Sequence, residues 1–276
     1  TFVDNYFYLY RYKKRIILLS LFSLIEKITL RTAFSVNLIS IGFKELFNDI
    51  ENIVKNKNRI TNFTNGIELN LKNKLQKIKT KKFNKVDKYT IIYAGNIGEG
   101  QSIYELIYKL NKDIKTIIEM RKRKIIFEIY GSGSQLKKIE KLIFSSTKDK
   151  NNQLNHVVKL GGLIKKDNIN LIYKRANCLM LQLSSLKSIE CVIPSKIFEY
   201  ASTDLPIIYG SKGYTSKFIS QVDGAIPFKQ LDSKSFYNAI IKSQKIHVSK
   251  ELRSKFLNKF LTNKIYAKYV DYILFN

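Results

Sequence analysis

Two side chains of opposite charge lie three residues apart in the segment Val192–Ile208, which reads V-I-P-S-K-I-F-E-Y-A-S-T-D-L-P-I-I. They are Lys196 and Glu199. Pro194 marks a turn, Ser195 opens a short helix, and Pro206 leads into an apolar strand. Residues three apart share one helix face, so the ammonium and the carboxylate are presented together. Phe198 and Tyr200 flank the acid and expect burial, which aims Glu199 at a crevice rather than at open solvent. Two chemistries fit this spacing. One is a local ion pair. The other is a polar ligand site in which the carboxylate accepts both hydroxyls of a ribose, while Lys196 or the helix N-terminus meets phosphate.

Glycine-rich turns supply the second set of candidates. Gly95-Asn96-Ile97-Gly98-Glu99-Gly100-Gln101 follows an apolar run, and Ser102 with Glu105 three residues on reads as a capping box. Such a turn lets backbone N–H groups approach an anion at a helix N-terminus. The spacing is neither G-x-G-x-x-G nor a Walker A loop. Gly131-Ser132-Gly133-Ser134 ends a second apolar run and Gly161-Gly162-Leu163 a third, where backbone groups could meet a flat base edge. Gly210-Ser211-Lys212-Gly213 adds another anion-friendly turn. A single glycine turn is commonplace. Three of them at the carboxyl ends of consecutive strands line one rim of a sheet, the place where such sheets bind nucleotides.

The elements that must hold these turns are regular. Apolar strand candidates fall at Tyr89–Ala94, Lys124–Tyr130, Val157–Leu160, Cys178–Leu183, Pro206–Tyr209 and Ala225–Phe228. Helical faces separate most of them: Ile103, Leu106, Ile107 and Leu110; Leu136, Ile139 and Ile143; Ile169, Ile172, Tyr173 and Ala176. This alternation predicts an α/β domain with a doubly wound parallel sheet. Upstream, residues 1–50 read as largely helical, with Leu18, Leu21, Phe22, Ile25 and Ile28 at helical spacing and a buried strand over Ser35–Ile41. Leu71–Lys88 carries eight lysines and one acid, Asp87, and reads as an exposed connection. The tail, Lys250–Phe275, reads as amphipathic helix.

Composition narrows the classes. The 276 residues suffice for one large or two ordinary domains, and 45% hydrophobic content fits a globular chain. The net charge of +27 points to a polyanionic partner, with an anionic membrane surface expected and no nucleic acid, because the lysines are spread and no nucleic-acid-reading motif stands out. Cys178 and Cys191 lack C-x-x-C spacing, and His156 and His247 stand alone, so a reduced cytoplasmic protein without a metal site is expected. The apolar run Ile16–Leu24 is too short to span a bilayer. With the aromatic and basic start Phe7–Arg15 it suits a membrane surface as well as it suits an ordinary core helix.

In order, Tyr93-Ala94-Gly95-Asn96-Ile97-Gly98, Ile129-Tyr130-Gly131-Ser132-Gly133, Leu160-Gly161-Gly162 and Val192–Tyr200 resemble the donor-binding domain of glycosyltransferase family 4. The closest likeness is to bacterial enzymes that build capsule, O-antigen or exopolysaccharide repeats. Asn65-Gly66-Ile67-Glu68 resembles the segment before that family's interdomain linker, so the likeness runs from about Ala33 to the chain's end. It implies a GT-B fold, two Rossmann-like domains around a cleft, with a last helix that crosses back to the first. The divisions it implies are an acceptor-domain remnant over 1–68, a lysine-rich linker over 69–88, a donor domain over 89–249 and a returning helix over 250–276. It implies retaining, metal-independent transfer, without a cofactor, from a nucleotide sugar, most often UDP-linked, to a lipid-linked or saccharide acceptor at the inner face of the cell membrane.

By the same likeness, Glu199 holds the ribose. Gly95, Asn96, Gly98 and Gln101 lie beneath the diphosphate, Gly131, Gly133 and Leu163 flank the base, and Ser195 and Lys196 supply polar contacts. The first glutamate of the family's E-x7-E pair would be Glu190, which here stands one residue too far from Glu199. Where many members place Arg and Lys after the first strand, this chain has Asn96 and Gln101. Only about 65 residues precede the linker, against on the order of 100–150 for a whole domain, so a shortened acceptor half is expected. The alternatives are a GT-B-fold nucleotide-sugar epimerase or phosphorylase, or a non-catalytic basic binding module.

Overall fold

Six largely apolar segments pair side by side, the inner four buried on both faces and the two edge strands only in part. They are β3 to β8: Tyr89–Ala94, Ile125–Tyr130, Val158–Gly162, Cys178–Gln182, Ile207–Gly210 and Ala225–Pro227. Every residue of β3, β6 and β7 is buried, the pattern of a parallel sheet covered by helices. All pairings are parallel, in the order β5-β4-β3-β6-β7-β8. The strand order therefore reverses between β3 and β6, which opens a crevice at their carboxyl ends. In this computed structural model the described residues are 15–46, 50–55, 57–79, 87–146 and 153–275. The aromatic and basic start up to residue 14 lies outside them.

Alternate residues of β3 feed two cores. Ile91 and Tyr93 pack with Leu106, Ile107, Phe127 and Phe236, while Ile92 and Ala94 pack with Tyr173, Phe198, Ile207 and Phe218. The predicted helical faces end up where their periodicity put them: Ile103, Leu106, Ile107 and Leu110 are all buried along the helix Ile103–Lys112. Side-chain caps from Asp113, Asp232 and Ser249 start three further helices.

Before this sheet the helix Arg15–Thr32 is followed by a two-stranded parallel sheet, β1 (Val36–Asn37) with β2 (Ile60–Thr61). The strand expected over Ser35–Ile41 is thus two residues long. A small core of Leu38, Ile50 and Val54 supports it. Leu21, Phe22, Leu24, Ile25 and Ile28 are exposed, because the helix has little of the described chain to cover it.

Two expectations need correction. Residues 69–79 are not an exposed linker: Leu69–Leu75 is a helix, Leu75 and Ile78 are buried in the sheet core, and Lys72 Nζ donates to Asn258 Oδ1 at 2.9 Å. The lysine stems cover apolar surface while their charges reach polar partners. The tail is two helices, Lys250–Leu257 and Thr262–Phe275, rather than one. Between them Phe260 O accepts from Ile67 N at 2.9 Å and Ile67 O from Thr262 N at 3.1 Å. The second helix then returns to the N-terminal part, where Tyr272 donates to Asn58 O and Tyr269 packs on Phe63.

Two contacts fix the parts that shape the crevice. The loops after β3 and β4 touch backbone to backbone: Ile97 N donates to Ser132 O at 2.8 Å and Gln135 N to Ile97 O at 2.9 Å. Gly131 has φ +135°, and a Cβ there would stand 1.8 Å from Gly95 O. The second contact is Arg253, only 3% exposed, which donates to the carbonyls of Asp223, Tyr200, Thr203 and Leu205 at 2.6–3.3 Å. Burial pulls its pKa down to about 10 against the opposing pull of Asp223 and Asp204. It ties the tail to the end of the helix Lys196–Ala201.

We expect Gly131→Ala to cost on the order of 2 kcal/mol or more in urea unfolding. Gly162→Ala, at φ +79° with nothing within 4 Å of the new methyl, should cost about half as much. Equal costs would show that the close approach to Gly95 does not matter. Arg253→Met leaves several buried carbonyls without a donor and should cost on the order of 3 kcal/mol in the same assay. An unchanged midpoint would mean that they find other partners.

Candidate functional site

Pro194 ends the loop before the helix Lys196–Ala201, and its carbonyl accepts from Ile197 N at 3.0 Å. Ile197, Phe198, Tyr200 and Ala201 are buried, which leaves Lys196 and Glu199 on the opposite face. Lys196 Nζ lies 2.8 Å from Glu199 Oε2, with the two side chains 33% and 14% exposed. The local ion pair is therefore real. Tyr173 OH, from the helix Ile169–Tyr173, donates to the same Oε2 at 3.0 Å. Burial, and then the neighbouring Tyr200 and Glu199, push the Tyr173 pKa well above its ordinary value, so it stays a donor at neutral pH. Neither bond uses Oε1.

This pair borders a cleft of about 340 Å³ at the carboxyl ends of β3, β4 and β5. Ala94, Gly95 and Asn96 line it from the first loop, Tyr130, Gly131 and Ser132 from the second. Leu163, Ile164, Lys166 and Ile169 form the far wall, and Lys196 closes it. Leu163 is 77% exposed, a lip free to meet a ligand. The lining divides into apolar side chains, Leu163, Ile164 and Ile169, and polar groups, the strand-end backbone and the ammonium groups of Lys166 and Lys196. That division suits a molecule with a planar ring at one end and anionic oxygens at the other.

Of the predicted site residues, Gly95, Asn96, Gly131, Leu163 and Lys196 line the cleft, with Glu199 bonded to Lys196 at its rim. Exposed Ser195 adjoins Lys196. The other residues have structural contacts. Gln101 Oε1 accepts from Asn96 Nδ2 at 3.0 Å and from Gly98 N at 3.3 Å, so these two amide side chains hold each other. A Cβ on Gly133 would meet Ile97 backbone at 2.5 Å, which makes this glycine a packing requirement of the loop. Glu190 ends the helix Lys187–Glu190 after β6 and lies beside Gly213, not in the cleft wall.

The capping box is also corrected. Ser102 adopts a left-handed conformation at φ 48°, its hydroxyl donates to Glu99 O, and Glu105 Oε1 accepts from Gln135 Nε2 at 2.7 Å. Ser102 still stands at the N-cap of the helix Ile103–Lys112, directly after a short 3₁₀ turn, Glu99–Gln101, but its side chain makes no capping bond. Sequence reasoning missed Tyr173 and Tyr130 as site residues. Tyr173 stood in an apolar helical face and Tyr130 at the end of an apolar strand, so their hydroxyls went unread.

Among the described residues no group of three or more His, Cys, Asp or Glu is placed to hold a metal ion, and no helix is long and apolar enough to cross a membrane. Cys178 and Cys191 are buried thiols outside any disulfide, and burial pushes the Cys178 pKa up to about 12.

No protein-family model matches the chain, and no sequence among curated proteins does. Solved structures do. HepE of Anabaena, in complex with UDP and glucose, is 12% identical with a TM-score of 0.65 over 90% of this chain. The lipopolysaccharide outer core galactosyltransferase WaaB is 14% identical with a TM-score of 0.58 over 88%. Sucrose-phosphate synthase of Thermosynechococcus elongatus is 15% identical with a TM-score of 0.64 over 90%. The chain spans less than two thirds of each, namely 65%, 62% and 59%. At these identities the likeness is one of fold: a Rossmann-like α/β architecture shared with GT-B glycosyltransferases.

Proposed function

We propose that this chain is the donor-binding half of a retaining glycosyltransferase. It would move a hexosyl or N-acetylhexosaminyl group from a nucleotide sugar, UDP-linked, to a lipid-linked or polysaccharide acceptor in surface polysaccharide synthesis. The observation that carries this reading is Glu199: a carboxylate held by Lys196 and Tyr173 through one oxygen, at the rim of a cleft built from strand-end loops. Its second oxygen accepts the ribose hydroxyls. Backbone groups of the Gly95–Gln101 loop and the ammonium of Lys196 meet the diphosphate, so the negative charge is met without a metal. The base lies between Tyr130, Gly131 and Leu163.

In the transfer itself, the bond from the anomeric carbon to the phosphate oxygen breaks and one to the acceptor oxygen forms. The acceptor's proton passes to the released diphosphate, so no side-chain base is needed. Glu190, on the segment after β6, belongs on the sugar side of the crevice in this reading. The net charge of +27 and the exposed Leu21, Leu24 and Ile28 support docking at an anionic membrane surface on its cytoplasmic face.

Thermal shift and calorimetry with UDP, GDP and their sugars test the reading. UDP at a hundredfold excess over its Kd should stabilise the chain by about 2.7 kcal/mol. Glu199→Ala should weaken UDP binding roughly 10- to 100-fold, the worth of a charged hydrogen-bond pair. Tyr173→Phe, which removes one of two donors to Oε2, should weaken it less. No response to any nucleotide would sink the proposal.

A further inference from the structure

Below the cleft, the sheet carries an acid that the fold does not require. Strand β4 reads I-I-F-E-I-Y, and Glu128 is its one charged residue. Its side chain is 6% exposed. Three donors reach it: Lys88 Nζ at 3.1 Å from Oε1, Arg175 Nη2 at 3.0 Å from Oε2, and Tyr130 OH at 2.8 Å from Oε2. Burying a carboxylate with two cations adds little to stability over an apolar side chain of the same shape. Specificity is the better account of it.

Tyr130 gives that specificity an object. Residues two apart on a strand share a face, so Glu128 and Tyr130 point the same way, with Tyr130 at the carboxyl end where it lines the cleft. Its ring lies across Gly161: a Cβ on that glycine would come within 1.8 Å of Tyr130 Cε1. The ring thus fills the space of a side chain at residue 161, and its hydroxyl is tethered from below. Burial raises the Glu128 pKa, but hydrogen bonds from Tyr130 and Lys88 and the charges of Lys88 and Arg175 outweigh it, and the net shift is downward. Burial and Glu128 raise that of Tyr130. Donor and acceptor therefore keep their roles across the neutral range.

We propose that Tyr130, latched through its hydroxyl to Glu128, is the specificity-determining wall at the nucleobase end of the cleft and admits a pyrimidine in preference to a purine. Glu128 is its positioning residue, with Arg175 and Lys88 holding the acid in turn. The inference rests on the nucleotide-sugar reading above. Leu163 forms the opposite, exposed side of the same end, so depth is set by Tyr130, the ring tethered from below.

Calorimetric titration of the whole chain with UDP and with GDP separates the two ideas. The unaltered chain should prefer UDP by about tenfold or more, within the range a shaped pocket provides. Tyr130→Ala should bring the ratio close to one, chiefly through tighter GDP binding. Tyr130→Phe keeps the ring and frees it, and should lower the ratio severalfold while the unfolding midpoint shows that the chain is folded. Glu128→Gln should act in the same direction. A role in folding alone would weaken both nucleotides equally, and an unchanged ratio in Tyr130→Phe and Tyr130→Ala would overturn the proposal. Failure to bind either nucleotide would overturn the functional reading itself, and this inference with it.

Discussion

Everything at the cleft depends on the approach of the Gly95 carbonyl to the α-carbon of Gly131, in space that any side chain would occupy. It lets the loops after β3 and β4 join through Ile97 and Ser132 without intervening side chains. A cradle made of backbone has no rotamers to lose and presents its N–H groups in fixed directions. The end of β5 is added in the same way, because Gly131 N donates to Gly162 O at 2.9 Å. Three strand ends thus act as one rigid floor.

The helix that faces this floor is anchored from behind. Phe198 packs against Phe218, Phe256 and Phe260, and Arg253 satisfies carbonyls at and just beyond the helix end. The tail thereby holds the ligand-facing helix against the sheet, and then runs on to Ile67 and Asn58 in the N-terminal part. Packing on one side and polar chemistry on the other are properties of the same six residues. This is why a change buried beneath Glu199 would be felt at the cleft.

The sheet was legible in the sequence because strands buried on both faces read as largely apolar runs, and all six appeared within a residue or two of their ends. The strand-end glycines and the Lys196–Glu199 spacing were legible for a similar reason: both are local. What was not legible depended on distance. Tyr173 meets Glu199 across 26 residues, and Glu128 meets Arg175 across 47. The acid in I-I-F-E-I-Y was the available signal, a charge inside a run that otherwise demands burial. The segment 69–79 misled because its lysines are as many as its apolar residues, although Leu75 and Ile78, three apart, were enough to dock it. Ser102 keeps the N-cap position that the pattern assigned to it, but after the 3₁₀ turn its hydroxyl is directed back to Glu99 O, so the expected side-chain bonds do not form.

Lys196 and Glu199 raised the question whether a salt bridge three residues apart on a helix is merely a salt bridge. The geometry removes the opposition. A carboxylate has about four lone-pair directions on two oxygens. Lys196 and Tyr173 both approach Oε2, so the pair consumes one oxygen and fixes the plane of the other. Holding the acid in place before a ligand arrives lowers the ordering cost of binding. Keeping Lys196 beside it leaves a positive charge within reach of the neighbouring loops. The ion pair is thus the means by which Glu199 is prepared for a ligand, and its presence argues for a binding role rather than against one.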